Sequence, residues 1–305
     1  MCGLFGFTSY GNSFKGITGL TNTLAEYSAI RGTDAAGIAY CTKQIHINKE
    51  GKSAYAMNFK VPENVKTIIG HTRHATSGDY KNNFNNHPFF GKAGNTRFAL
   101  AHNGVLMSVD STRRTYYLQE PKIKTDSYLA VQLLEQEKSL SFDSIRKMTD
   151  KISGSFTFSI LDDRNNVWLI RGDNPLSILH FPEKRMYVYA STDEILYKSI
   201  VDSFLFDDMK HGRYEEIPIT TGTILKIKAS GEIERENFIF REHISPAWWE
   251  FEYFRDPYAV DPDAEYLEAI KSAAAYQGID EETIDELLAA GYTLDELAEE
   301  LYCEI

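Results

Sequence analysis

Hydrophobic positions along this chain change their period near residue 240. Before that point they fall in short runs of β-branched and aromatic residues, each bounded by Gly, Asn or Asp, which is the pattern of strands. Such runs occupy residues 3–9, 37–42, 44–48, 67–71, 97–101, 155–161, 167–170, 186–190 and 223–228. Helical spacing predicts helices over 18–30, 126–136, 142–152 and 193–201. Hairpins and helices interleave, so layered α+β packing is expected in place of a parallel βαβ repeat. After residue 240 the stretch HISPAWWEFEYFRDPYAVDP is aromatic and proline-containing, and it reads as a connector over 241–260. Three short helices are expected beyond it, at 263–276, 281–290 and 294–302. Gly278 and Gly291 stand at helix-ending positions, and Thr293 and Glu296 have capping-box spacing.

Charge sharpens that division. Residues 261–305 carry 14 acidic side chains and one basic, Lys271, a net of −13, whereas the first 260 carry 30 acids and 31 bases, a net of +1. The expected organisation is therefore a body over 1–240, a connector over 241–260 and an acidic helical module over 261–305. No basic stripe is visible, which argues against nucleic-acid binding. No stretch approaches the ~18 apolar residues needed to span a bilayer, and the first residues lack the basic and apolar regions of a signal peptide. A cytoplasmic protein with no membrane contact is expected.

Three cysteines, Cys2, Cys41 and Cys303, are too few for a disulfide framework. No clustered Cys/His spacing suggests a metal site, and the pair His71 and His74 is too small a ligand set for one. No phosphate-binding glycine motif is present, so no cofactor is expected.

Four segments carry candidate chemistry. Cys2 would become the first residue once Met1 is removed, a removal that its small side chain permits. Its α-amine, with an ordinary pKa of ~7.7–8.0, would then sit beside a thiol of ~8.5, so one residue would supply nucleophile and base. The alternative is an ordinary terminal thiol. GHTRHATSG (70–78) places Arg73 at a strand end, suited to two-bond capture of a carboxylate, or to a surface salt bridge. LAHNG (100–104) offers the Asn103 side-chain amide and the Gly104 N–H as an oxyanion hole, or only a turn. KTDSYL (124–129) contains Asp126, which could bind a cation or cap a helix.

Together with CGLFGF (2–7), AIRGTDAAGI (29–38), NNHPF (85–89), SGSFTFSILD (153–162), RGDNPL (171–176) and ASTDEI (190–195), these segments resemble the class II glutamine amidotransferases over roughly residues 2–234. The resemblance implies the four-layer αββα sandwich of the N-terminal nucleophile hydrolases, here with a small C-terminal helical appendage. It implies that Cys2 attacks the glutamine amide and that Asn103 and Gly104 hold the oxyanion. Arg73 would grip the α-carboxylate and Asp126 the α-ammonium, with Thr76 and His74 adding contacts. Arg31, Gly32 and Asp34 would support the N-terminus.

Relatives that make sugar phosphates often carry Trp and His where this chain has His74 and Ser77, which bears on the polar loop 77–86, a candidate lid. The 65 residues after 240 are not expected to form a synthase domain. The expected activity is therefore a glutaminase serving an ammonia-accepting synthase on another chain, with 261–305 docking that synthase or a basic protein. Two alternatives remain: a hydrolase of other γ-glutamyl amides, and a non-catalytic binding protein on the same fold.

Overall fold

A computed structural model describes residues 2–11, 15–241, 279–290 and 292–294, together with 267, 270, 271, 274 and 297. The chain divides into two units, Met1–His243 and Ile244–Ile305.

Among the described residues of the first unit, thirteen strands form two antiparallel sheets. The strands are β1 (Gly3–Ser9), β2 (Ala35–Cys41), β3 (Ile45–Glu50), β4 (Thr67–Arg73), β5 (Phe89–Ala93), β6 (Thr96–Met107), β7 (Ser153–Asp162), β8 (Val167–Arg171), β9 (Ser177–Phe181), β10 (Met186–Ala190), β11 (Glu215–Glu216), β12 (Thr223–Ile227) and β13 (Ile233–Asn237). One sheet runs β11-β9-β10-β1-β4-β2-β3 and the other β13-β12-β8-β7-β6-β5. Six helices accompany them: α1 (Ile17–Ser28), α2 (Val109–Thr115), α3 (Tyr128–Gln136), α4 (Phe142–Lys151), α5 (Asp193–Val201) and α6 (Phe206–Lys210).

Strand alternation assigns the layers. Leu4, Ala39 and Ile69 of the first sheet meet Ala99, Ala101, Leu161 and Leu169 of the second in a central core. The neighbouring positions Phe5, Phe7, Ile68 and Val188 point the other way, against Leu20 and Leu24 of α1 and Leu196 and Ile200 of α5. On the far side, Leu100, Phe158 and Ile160 pack against Leu129 and Leu133 of α3 and Ile145 and Met148 of α4. The result is an αββα sandwich. It explains why β1 reads as a continuous buried run without alternation: both its faces are covered.

Three of the sequence alternatives are corrected here. Asn103 and Gly104 are not a turn; they lie inside the twelve-residue strand β6, paired with Thr157 and Phe156 of β7. Asp126 does not cap a helix. The predicted start at 126 moves to Tyr128, Ser127 is the capping position, and Asp126 turns its carboxylate elsewhere. Arg73 is 3% exposed and is therefore no surface ion pair.

In the second unit, α7 (Glu281–Ala289) begins at Asp280, whose carboxylate accepts from the Thr283 N–H at 2.9 Å. Ile270, Ala274, Ile284 and Leu297 are buried together, with Leu287, Leu288 and Leu294 packed on them. The connector, Gly278, Gly291, Glu296 and most of the predicted helices 263–276 and 294–302 lie outside the described residues.

Candidate active site

Gly3 of β1 pairs with Thr72 of β4, so the start of one strand meets the end of the other, and Cys2 comes beside Arg73. Alternation turns Cys2, with Leu4, toward the space between the sheets. It does the same for Arg73, with Ile69 and His71, and for Asn103, with Ala99 and Ala101. Three candidate groups from three strands thus share one end of the central layer.

The backbone around Cys2 is held by the predicted supports. The Arg31 Nε–H donates to the Cys2 carbonyl at 2.8 Å. A Cβ on Gly32 would come within 2.3 Å of the Arg73 carbonyl carbon and 2.4 Å of the His74 nitrogen, so only glycine lets the chain pass there. Asp34 accepts from the Ala75 N–H at 2.7 Å, and its own N–H donates to the Arg73 carbonyl at 3.0 Å. These bonds fix the exit of β4, whose His74 carbonyl accepts from the Cys2 thiol at 3.5 Å.

Cys2, Arg73, His74, Thr76, Gly104 and Asp126 line one cleft. Gly104 has φ +141°, and a Cβ there would sit 2.0 Å from the Ser155 carbonyl oxygen. Both facts bar any side chain. Asn103 is 1% exposed in the adjoining position, and its Nδ2 has no hydrogen-bond partner. A buried amide donor normally finds one; Nδ2 has none among the described residues, and Asn103 stands next to the cleft-lining Gly104 without lining the cleft itself. The Asp126 carboxylate accepts from the Leu106 N–H at 2.7 Å and from the Ser77 hydroxyl at 3.0 Å. Burial pushes the Cys2 thiol above its ordinary range, with Arg73 pulling the other way.

The family model for class II glutamine amidotransferases matches residues 1–157. The chain belongs to the class II glutamine amidotransferases. Among relatives, the glutamine–fructose-6-phosphate aminotransferase (isomerizing) of Halalkalibacterium halodurans is 31% identical over 217 residues, covering 67% of this chain and 34% of that protein. The Bacillus cereus enzyme of that name is 32% identical over 254 residues, covering 78% and 39%. The chain thus spans about a third of the length of these relatives. Among solved structures, the glutamine phosphoribosylpyrophosphate amidotransferase of B. subtilis matches with a TM-score of 0.62 at 22% identity, covering 79% of this chain and 50% of that one. An allosteric regulatory enzyme of purine biosynthesis matches at 0.62 and 23%, covering 90% and 58%. The shared fold is that of the N-terminal nucleophile hydrolases, and the named relatives are enzymes.

The cleft is also lined by Ser77, noted above, and by His87, His102, Thr125 and Ser127, to which the motifs gave no role. His71 is buried against His87 and His102. The His71 Nε2 is 2.9 Å from the His102 carbonyl, and the His102 Nδ1 is 2.8 Å from the Ser127 hydroxyl. His87 lies 4.1 Å from the His71 ring, with neither ring nitrogen bonded. All three lie in quoted motifs, His71 in GHTRHATSG, His87 in NNHPF and His102 in LAHNG, but nothing in the sequence says that they meet. His71 and His74 are not a metal pair: His71 is buried, while His74 is 60% exposed beside Asp34. Among the described residues no group of three or more His, Cys, Asp or Glu side chains could hold a metal, and no helix is long and apolar enough to cross a membrane.

Burial lowers His71 to about 3 and His87 well below its ordinary value. Both are depressed in the folded state, so their contribution to stability is complete above the unfolded value of ~6.5 and is lost as pH falls below it. At pH 5.5 His71 alone should have removed about 1.4 kcal/mol of unfolding free energy relative to pH 7.5, and His87 and His102, both lowered by burial, should add to that loss. Urea titrations at the two pH values check this. His87→Gln, which cannot ionise, should reduce the loss, and equal stability at both pH values would contradict it.

Proposed function

We propose that this protein hydrolyses the side-chain amide of glutamine with Cys2 as an N-terminal nucleophile and supplies the ammonia to a synthase on another chain. The observation that carries the reading is the unpartnered Asn103 amide, buried at the end of the central layer toward which Cys2 also turns and next in sequence to Gly104. A donor kept unpaired is what a developing oxyanion requires.

A thiol of ordinary pKa, ~8.5, is mostly protonated at neutral pH, so the nucleophile needs an acceptor for its proton, and the α-amine of a first-residue cysteine is adjacent. The amine takes the Sγ proton as sulfur attacks the amide carbon. The carbonyl oxygen becomes an anion held by the Asn103 Nδ2–H and the Gly104 N–H. Collapse breaks the C–N bond, the amine returns the proton to nitrogen, and ammonia leaves a glutamyl thioester. Water then adds with the same base, and glutamate departs as the thiol re-forms. Arg31, Gly32 and Asp34 hold the backbone on which this depends. Release of glutamate and ammonia in equal amounts from glutamine, by chain beginning at Cys2, is the test; no release removes the reading.

In this scheme Arg73 binds the α-carboxylate and Asp126 the α-ammonium, while Thr76 and His74 add contacts at the rim. Arg73→Lys should raise KM about tenfold or more, because an ammonium cannot reproduce the planar grip. Asp126→Asn should act mainly on KM as well: its oxygen can keep the Leu106 N–H, but the charge is gone. Wild-type KM in both variants would make these two groups structural. A panel of bulkier γ-glutamyl amides tests the breadth of the site.

The protein is expected to act in the cytoplasm, without cofactor. Residues 261–305, at a net charge of −13, are proposed to dock the synthase or another protein with a basic surface. Truncation after Tyr258 should then abolish salt-sensitive partner binding and leave hydrolysis intact. Loss of hydrolysis would instead make the tail part of the catalytic body.

A further inference from the structure

The Arg73 guanidinium is held by two kinds of acceptor. Its Nη2 donates to the backbone carbonyls of Ser77 and Gly78, the latter at 2.9 Å. These belong to the loop directly after β4, whose Thr76 and Ser77 line the cleft. Its Nη1 donates to the Asn86 Oδ1 at 2.8 Å. Asn86 is of another character: it is fully buried, at 0% exposure.

Asn86 is clamped from three sides. Its Nδ2 donates to the Tyr80 carbonyl at 2.8 Å and to the Asn83 Oδ1 at 3.2 Å. An amide turned over would set NH₂ against the guanidinium and oxygen against the Tyr80 carbonyl, so one orientation alone satisfies both ends. The backbone carbonyl of Asn86 accepts from the Lys49 ammonium, which also donates to the Pro88 carbonyl at 3.1 Å. The Lys49 Nζ also lies 5.0 Å from the centre of the Phe89 ring.

We propose that Asn86, clamped by Lys49 and Tyr80, is a positioning residue that sets the plane in which Arg73 meets the substrate α-carboxylate. The inference rests on Arg73 reading that carboxylate. Arginine is long and rotamer-rich, and a two-bond grip needs its planar fork aimed before substrate arrives. Asn86 occupies only Nη1. The carbonyls of Ser77 and Gly78 occupy the Nη2 side with neutral oxygens, which a carboxylate, as a charged acceptor, outcompetes. Substrate exchanges with the loop carbonyls while Asn86 stays in place. Because the bond to Asn86 is neutral on the acceptor side, Arg73 keeps its full charge for the ligand.

Steady-state kinetics test this, with glutamine as substrate and 4-aminobutanamide, the same chain lacking the α-carboxylate, as competitor. Asn86→Ala should raise the glutamine KM about tenfold, the scale of one lost hydrogen bond to a charged group. Its kcat and the inhibition constant for 4-aminobutanamide should stay within about twofold of wild type. Asn86→Asp should raise KM further, since a carboxylate beside Arg73 competes with the substrate's own, while it also sets an oxygen against the Tyr80 carbonyl. Lys49→Met, which keeps the Asn86 side chain, should shift KM in the same direction by about threefold. If Asn86→Ala does not fold, an unchanged KM in Lys49→Met overturns the proposal. A folded Asn86→Ala with normal KM also overturns it, as does a loss confined to kcat or shared equally with 4-aminobutanamide. Arg73→Lys separates the two levels. If it raises KM while Asn86→Ala does not, only the role of Asn86 falls; if its KM is normal, the carboxylate reading falls and the role of Asn86 with it.

Discussion

Chain that begins at Cys2 should turn glutamine into glutamate and ammonia, and chain that retains Met1, or carries Cys2→Ala, should not. The two failures have different causes. Cys2→Ala removes the sulfur, so no thioester can form. Retained Met1 leaves the sulfur in place but converts the α-amine into a peptide nitrogen, which cannot take a proton at neutral pH. Burial raises the Cys2 thiol, so the protonated form dominates, and without a neighbouring base it is a poor nucleophile. One extra residue at the terminus should therefore be as damaging as losing the thiol, with the fold unchanged. Intact mass fixes the terminus of each preparation, and ammonia release reads the activity. Full turnover by a Met1-bearing chain would exclude the amine as base.

How much of this was visible in the sequence differs between fold and site. Strand and helix positions were legible where burial imposes a period. The run 3–9 and the helix 193–201 coincide with β1 and α5. The predicted strand 97–101 was too short, because Asn103 and Gly104 look like turn residues while β6 continues through them to Met107. There a strand paired across its length to β7 overrides the local preference. The polar edge strand β13 and the polar helix α2 were missed, since neither repeats an apolar position at a regular spacing. β5 does alternate buried with exposed, but only five residues carry the pattern.

The site was legible residue by residue and not in its connections. Cys2, Arg73 and Asp126 were each visible through their chemistry. That Asn86 holds Arg73, or that Ser77 bonds to Asp126, depends on residues 13 and 49 positions apart. A single sequence carries no period for such pairs. Asn86 looks like loop material, and only its complete burial separates it from its neighbours Asn82 and Asn83, which serve the local turn at 83–85.

Asn103→Ala should lower kcat by about 10²–10³-fold, the range for loss of one oxyanion donor, with little change in KM. The expected selectivity follows from timing. The ground-state amide oxygen gains little from the Asn103 Nδ2–H, whereas the tetrahedral anion gains most, so the loss appears in turnover and not in binding. Stability gives a second, independent reading. Removing one member of a satisfied buried pair strands the other and costs about 1–3 kcal/mol. The Asn103 Nδ2 has no partner to strand, so Asn103→Ala should leave the urea midpoint near that of wild type, apart from a small cavity effect. A role in the fold predicts the reverse, with a lower midpoint and near-normal kcat in the fraction that folds. Asn103→Asp sharpens the contrast: it keeps the volume but sets a carboxylate against the developing anion, so its kcat should fall at least as far as that of Asn103→Ala. Equal kcat in wild type and Asn103→Ala would leave Gly104 as the only predicted oxyanion donor and would remove Asn103 from the mechanism.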